Sequence, residues 1–239
     1  MSRLNPVKSL GLTVLVATGL VLSTAQAEER GEKYSSAETL LFLTDHLQPI
    51  TRPNTLHYSF KKEGVLESGF QDNVDVFVER VQPDGSKFVS TQFLTGDREK
   101  SFPPVENARG NPVLMYFLNR DILEMQRLTG GNWRYFKRLI SKAFAESAEV
   151  RPVKVSFRGE EFAGTEIKVA PYVSDPRKER YQRFADKVYV FVLAPKLPGG
   201  VYQVRTVVPG EAAGDGKPLI EETMTFSGAE ALVKRSSNH

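Results

Sequence analysis

The chain has no cysteine among its 239 residues. That excludes disulfide crosslinks, a lipid-modified N-terminal cysteine and any thiol nucleophile. Histidine is nearly as scarce: His46, His57 and His239 are the only three, and none stands at metal-ligand spacing from another. The chain also lacks a Gly-x-Ser-x-Gly elbow, a His-Glu-x-x-His pair, a Gly-x-x-x-x-Gly-Lys phosphate loop and a dinucleotide fingerprint. No metal site, cofactor or catalytic residue is therefore expected. An excess of one charge is missing as well, with 32 basic against 29 acidic residues. A balance that close makes no general case for nucleic acid as a partner.

Long apolar runs are absent with one exception. Leu10 to Leu22 is uncharged and apolar, preceded by Arg3 and Lys8 and followed by Ala25-Gln26-Ala27. Positive start, short apolar stretch and small-x-small end form a secretory signal peptide, with cleavage expected after Ala27. The run is well short of the roughly 20 residues needed to span a bilayer, and an uncleaved anchor is the weaker alternative. Cleavage removes two basic residues and no acid, leaving 30 basic against 29 acidic residues. The mature product is expected in a periplasm, without a transmembrane segment or crosslinks.

The remaining residues are expected to form a single β-rich domain spanning 37–228, after a loose stretch 28–36 and before a tail 229–239. Ser35 or Ser36 can cap a helix Ala37 to Leu47, which Pro49 and Pro53 would terminate. Alternation then predicts strands: Leu56, Tyr58 and Phe60; Val74, Val76 and Val78; and Lys87 to Thr95 after the turn Pro83-Asp84-Gly85. A polar loop from Gly96 to Gly110 is long enough to act as a mobile flap. Five further strands are expected at Arg151 to Arg158, Phe162 to Tyr172, Lys187 to Ala194, Val201 to Val208 and Leu219 to Phe226. Lys187 to Leu193 is the most apolar of them and is expected at the sheet centre. Glu221 and Glu222 should face opposite sides of their strand, too far apart in direction to act as an acid/base pair.

Between the two strand blocks lies one helical insertion, 111–147. Asn111 and Pro112 suit its start, Gly130-Gly131 ends a first helix near Thr129, and Asn132 caps a second that begins near Trp133. The first helix places Leu114, Met115, Leu118, Ile122 and Met125 on one side, with Tyr116, Phe117, Leu123 and Leu128 off it. The second sorts Trp133, Phe136, Leu139, Ile140, Ala143 and Phe144 onto one arc, opposite Arg134, Lys137, Arg138, Ser141 and Lys142. Both helices are therefore expected either to plug a curved sheet or to form a lid over an apolar cavity, and Trp133 is buried in both cases.

The fold class expected is α+β: a curved antiparallel half-barrel of about eight strands wrapped around the central helix pair, plus the N-terminal helix. Strand meanders on both sides of a helical insertion, with the late Lys187 to Leu193 strand, the Leu197-Pro198-Gly199-Gly200 turn and the Val201 to Val208 strand, resemble the periplasmic lipoprotein-carrier (Lol-type) superfamily or a related uncharacterised periplasmic family. The resemblance is architectural and spans roughly residues 37–228. It implies a half-barrel with helices in its mouth and a fold whose characterised members carry acyl chains.

Three functions follow as expectations. The first is a non-enzymatic periplasmic protein that binds an apolar or amphipathic ligand, a lipid or an acylated partner, lined by Leu114, Tyr116, Leu118, Ile122, Trp133, Phe136, Ile140, Tyr189 and Phe191. The second is an envelope assembly or scaffold protein whose partner meets Arg134, Arg138, Lys142, Arg177, Arg180 and Arg183, with Tyr181 and Phe184 among the arginines. The third is a hydrolase, which needs His46 or His57 beside a carboxylate and a serine or water in one cleft.

Overall fold

Ten antiparallel strands form two meanders that join through their first and last members. The computed structural model describes residues 33–210 and 216–232, and the described residues from Tyr34 onward form one compact unit. β1 (Asn54–Glu63), β2 (Phe70–Val81) and β3 (Lys87–Phe93) make the first meander. Short strands β4 (Lys100–Ser101) and β5 (Val105–Ala108) both pair with β3. The second meander is β6 (Glu149–Phe157), β7 (Glu160–Val169), β8 (Val188–Leu193), β9 (Val201–Val208) and β10 (Ile220–Ala231). The order across the sheet is β4-β3-β2-β1-β10-β9-β8-β7-β6, open at both edges.

The α+β class and the sheet-around-helices arrangement match the expectation; several details do not. The sheet centre is the β1–β10 pair, registered from Asn54↔Ala231 to Glu63↔Glu221, and β8 lies two strands from the β6 edge. The apolar character of β8 instead serves its inward residues Tyr189, Phe191 and Leu193, all buried. The segment from Gly96 to Gly110 is no free flap, because β4 and β5 tie it to β3. Phe102 also stacks on Tyr116 at 4.0 Å between ring centroids, and the Tyr116 hydroxyl donates to the Pro103 carbonyl at 3.0 Å. β10 continues to Ala231, past the point where a tail was expected.

The N-terminal helix is shorter than its apolar pattern suggests. α1 (Ser36–Glu38) carries a full capping box, in which the Ser35 hydroxyl accepts from the Glu38 amide and the Glu38 carboxylate from the Ser35 amide. It widens at once into a π-helical turn, Thr39–Leu43, closed by the Thr44 amide on the Thr39 carbonyl at 3.0 Å. The chain then leaves the helix so that His46 and Leu47 can be buried in the body, the Leu47 amide donating to the Arg109 carbonyl at 2.9 Å. Local helix pattern loses here to tertiary burial.

α2 (Val113–Thr129) and α3 (Trp133–Glu146) lie against the inner face of the sheet. Asn111 sits one residue before the cap position, yet its side chain still accepts from the Val113 amide at 3.2 Å, while its Nδ2 donates to the Tyr58 hydroxyl and the Gly199 carbonyl. Gly199, at φ 77°, is required here: a Cβ would meet the Leu56 Cδ1 at 2.5 Å and the Asn111 Nδ2 at 2.9 Å. Gly130 ends α2 in the left-handed conformation at φ 67°, and the Asn132 side chain accepts from the Arg134 amide at 2.8 Å, as its residue type predicts. Aromatic contacts seat the helices: Phe117 on Phe60 at 6.2 Å, Phe144 on Phe191 at 5.6 Å and Phe136 on Tyr172 at 5.7 Å.

Candidate functional site

The face between α2 and the sheet is filled and carries charge. Arg120 and Asp121 point inward from the middle of α2, both buried. Arg120 donates twice to Glu222 of β10, at 2.6 and 3.0 Å. Lys62, opposite Glu222 in the β1–β10 register, lies 3.8 Å from the same carboxylate and 2.6 Å from Glu67, and Glu67 also accepts from Arg127 at the end of α2. On the other side, Asp121 accepts from the Lys187 ammonium and, at 2.6 Å, from the Tyr189 hydroxyl, which in turn shares a 2.9 Å hydrogen bond with Tyr172. Burial alone would raise the pKa of Glu222; the charge and hydrogen bonds of Arg120, with the charges of Lys187 and Lys62, outweigh it and hold the carboxyl below its ordinary value. Tyr189 and Tyr172 are pushed well above the ordinary phenol value, by burial first and then by the Asp121 charge.

This placement settles where the expected ligand residues stand. Leu114, Tyr116, Phe136, Tyr189 and Phe191 are buried in side-chain packing, and none but Phe136 lines a described cleft. Leu118, Ile122 and Ile140 do line one. It is a groove of about 320 Å³ on the outer side of the helices, walled by Phe42, Met115, Leu118, Ile122, Ile140 and Phe144, with Glu38, Asn119, Lys137 and Ser141 at its margin. Met115 is 43% exposed, and Leu43 and Leu123 are exposed on the neighbouring turns at 55% each. Lys137 has no ion-pair partner among the described residues. Trp133, expected in the core, is instead 36% exposed at the first turn of α3, with the Arg134 guanidinium 4.6 Å from its ring. Its side chain projects before the first packed turn of the helix, which begins at Phe136.

The two basic stretches of the sequence meet in space. Arg138 and Arg177 both lie over the Tyr135 ring, at 5.1 and 4.8 Å from its centroid. The Tyr135 hydroxyl donates to Asp175 at 2.6 Å, and the Tyr181 hydroxyl donates to the other oxygen of the same carboxylate. Burial would raise the pKa of Asp175; these two hydroxyls and the Arg177 amide more than offset it and hold the carboxyl below its ordinary value. Tyr181 and Phe184 are therefore buried anchors of their loop, not the exposed contact residues expected. Arg177 and Arg180 line a cleft of about 420 Å³ with Thr129, Gly130, Gly131, Asn132, Tyr135, Phe136 and Tyr181. Arg134, Arg183 and Lys142 are exposed outside it, Lys142 lying 3.7 Å from Glu146.

The histidines do not converge. His57 lies on the outer face of β1, bonded to Asp75 at 2.7 Å and 3.4 Å from Glu230. His46 is buried beside α2, its Nε2 donating to the Leu40 carbonyl at 2.8 Å and its Nδ1 accepting from the Asn111 amide at 3.3 Å. Neither lines one of the described clefts, the setting the hydrolase reading needs. Among the described residues there is no group of three or more His, Asp or Glu that could hold a metal ion. Glu221 and Glu222 face opposite sides of β10 as expected, Glu221 pairing with Arg205 at 2.6 Å and Glu222 with Arg120.

No protein-family model and no curated protein matches the chain. Two solved structures are similar along most of its length. A LolA-superfamily protein from Nitrosomonas europaea is 11% identical, over 83% of this chain and 94% of that one, at a TM-score of 0.23. Lipoprotein LppX from Mycobacterium tuberculosis is 12% identical, over 83% of this chain and 98% of that one, at a TM-score of 0.35. At TM-scores and identities this low, neither likeness carries a conclusion about family or ligand.

Proposed function

We propose that the chain is an exported, non-enzymatic protein of the cell envelope that binds an apolar or amphipathic ligand, a lipid or an acylated partner. Export rests on residues 1–27 read as a signal peptide, which lie outside the described residues, with 37–228 as the working domain. No helix among the described residues is long and apolar enough to cross a membrane. The observation that carries the reading is the outer groove. Apolar walls from three helical segments enclose about 320 Å³, at the small end of ligand pockets, and Lys137 stands at the margin where an anionic end of an amphiphile would emerge. The ligand surface is accordingly Leu118, Ile122 and Ile140 with Phe42, Met115 and Phe144, while Tyr189 and Phe191 serve as packed core.

The test is titration with a fluorescent long-chain fatty acid, alongside native mass spectrometry of protein purified from a periplasm. Met115→Glu and Lys137→Glu, both at exposed positions, are each expected to weaken binding about tenfold by placing a carboxylate in the path of an anionic amphiphile. A clean apo mass with no probe binding would remove the proposal. A second reading, an envelope scaffold working through protein contacts, is favoured by Arg138 and Arg177 meeting over Tyr135, with Arg180 lining the same cleft as Arg177. Replacing Arg177, Arg180 and Arg183 together by Ser should then abolish capture of a partner without lowering stability.

A further inference from the structure

We propose that the cleft between the α2–α3 turn and the Arg177–Tyr181 segment is a binding site for a phosphate group, free or as the headgroup of an anionic lipid. Its lining offers donors and no acid: Arg177, Arg180 and Asn132 bring guanidinium and amide N–H groups, and the rest is Thr129, the two glycines and the aromatic residues. The one nearby buried carboxylate, Asp175, is occupied, accepting from Tyr135, Tyr181 and the Arg177 amide. Glu179, in the same turn as Arg180, lines a different cleft with Lys178 and Asp186.

The arginines are held ready rather than spent. The Arg177 guanidinium carbon lies 4.8 Å from the Tyr135 ring centroid, and among the described residues the guanidinium makes no hydrogen bond or ion pair, its backbone amide alone bonding to Asp175, so its N–H groups remain for an oxyanion. Arg180 has no ion-pair partner among the described residues. The Tyr135 hydroxyl fixes the aromatic platform on Asp175, so the cation's position is set by packing before any ligand arrives. The opposite wall is tight. A Cβ at Gly131 would meet the Phe136 ring at 2.6 Å, so only glycine lets the chain turn this close to the cleft floor. Two guanidinium forks and an amide around about 420 Å³ suit a tetrahedral group with several acceptor oxygens.

This site is separate from the outer groove and does not depend on it. The full chain is titrated at constant ionic strength with inorganic phosphate and with monomeric dihexanoyl phosphatidate, read by calorimetry and by the emission of Trp133, the neighbour of Asn132. One saturable site is expected, weakened about tenfold by each of Arg177→Ser and Arg180→Ser, and unchanged by Arg183→Ser and Met115→Glu. Equal affinity for the two probes assigns the site to free phosphate; phosphatidate binding tenfold or more tighter assigns it to a lipid headgroup. No binding of either probe in the millimolar range overturns the proposal, and so does unchanged affinity in the Arg177→Ser/Arg180→Ser variant. Should that variant melt early, Arg180→Ser alone decides, because its side chain makes no ion pair among the described residues.

Discussion

α2 and α3 are consecutive, similar in length and both apolar on one side, yet they are held in different ways. α2 is fastened to the sheet by buried charge, Arg120 on Glu222 and Asp121 on Lys187, with Arg127 reaching Glu67 at its end. α3 is held by rings, Phe136 against Tyr172 and Tyr181 and Phe144 against Phe42 and Phe191. Clefts open on both flanks of α3, the apolar groove toward α2 and another of about 460 Å³ toward Lys168–Pro176. A buried ion network has one good geometry and a high cost for any other, whereas ring contacts tolerate sliding. Under the proposed function, α2 is the fixed member of the pair, and α3, bordered by clefts on both flanks, is the one that yields to a ligand.

The largest expected effect tests the fastening of α2. Glu222→Ala leaves Arg120 buried without its bidentate partner and should cost about 3–5 kcal/mol of unfolding free energy in urea titration. Arg120→Met combined with Glu222→Leu removes both charges and should cost much less. Similar losses in the single and double variants would mean that packing, not ionic pairing, fixes α2.

A smaller effect is expected from pH at the start of the same helix. His46 fits only as the neutral ring, since its Nδ1 accepts from the Asn111 amide. Burial lowers its pKa from the ordinary 6.5, outweighing the hydrogen bond to Leu40 and the charge of Asp45, which raise it. The unfolded chain thus takes up this proton at higher pH than the folded one. Stability from His46 is complete above pH 6.5 and is lost as pH falls from there through the lowered folded value. Denaturation measured from about pH 5 to 7.5 should show that slope in the natural chain and a flatter one in His46→Gln. Parallel curves would refute the role given to His46.

Most strands were legible because a half-buried strand writes its burial into every second residue, as at Leu56, Tyr58 and Phe60. The helix junction was legible too, since Gly130 and Asn132 carry terminal signals that need no distant partner. Pairing of β1 with β10 was not, because nothing local marks partners at opposite ends of the domain. The buried charges were missed for a different reason: a helical arc sorts charged residues to the outside by type. A clue was present, as Asp121 stands four residues after Phe117 and four before Met125, both apolar and both buried with it in the structure. Both basic stretches were recognised as contact surfaces, but their convergence on Tyr135 depends on a loop fold anchored by Asp175, which no spacing in the chain announces.

The smallest effect concerns Trp133, where arc and structure disagree. By position it belongs with Phe136 and Ile140, and a buried indole there would cost about 3–5 kcal/mol to remove. In the structure it lies at the helix start, 36% exposed and covered on one side by Arg134. Trp133→Ala should therefore cost less than about 1 kcal/mol, in contrast to Phe136→Ala, which opens a cavity beneath α3 and should cost about 3–5 kcal/mol. Acrylamide should quench the natural chain's emission readily, since Trp133 is its only tryptophan. A blue-shifted, poorly quenched emission together with a large loss in Trp133→Ala would place the first turn of α3 in the core. α3 would then be anchored as firmly as α2, and the contrast between a fixed helix and a yielding one would fail.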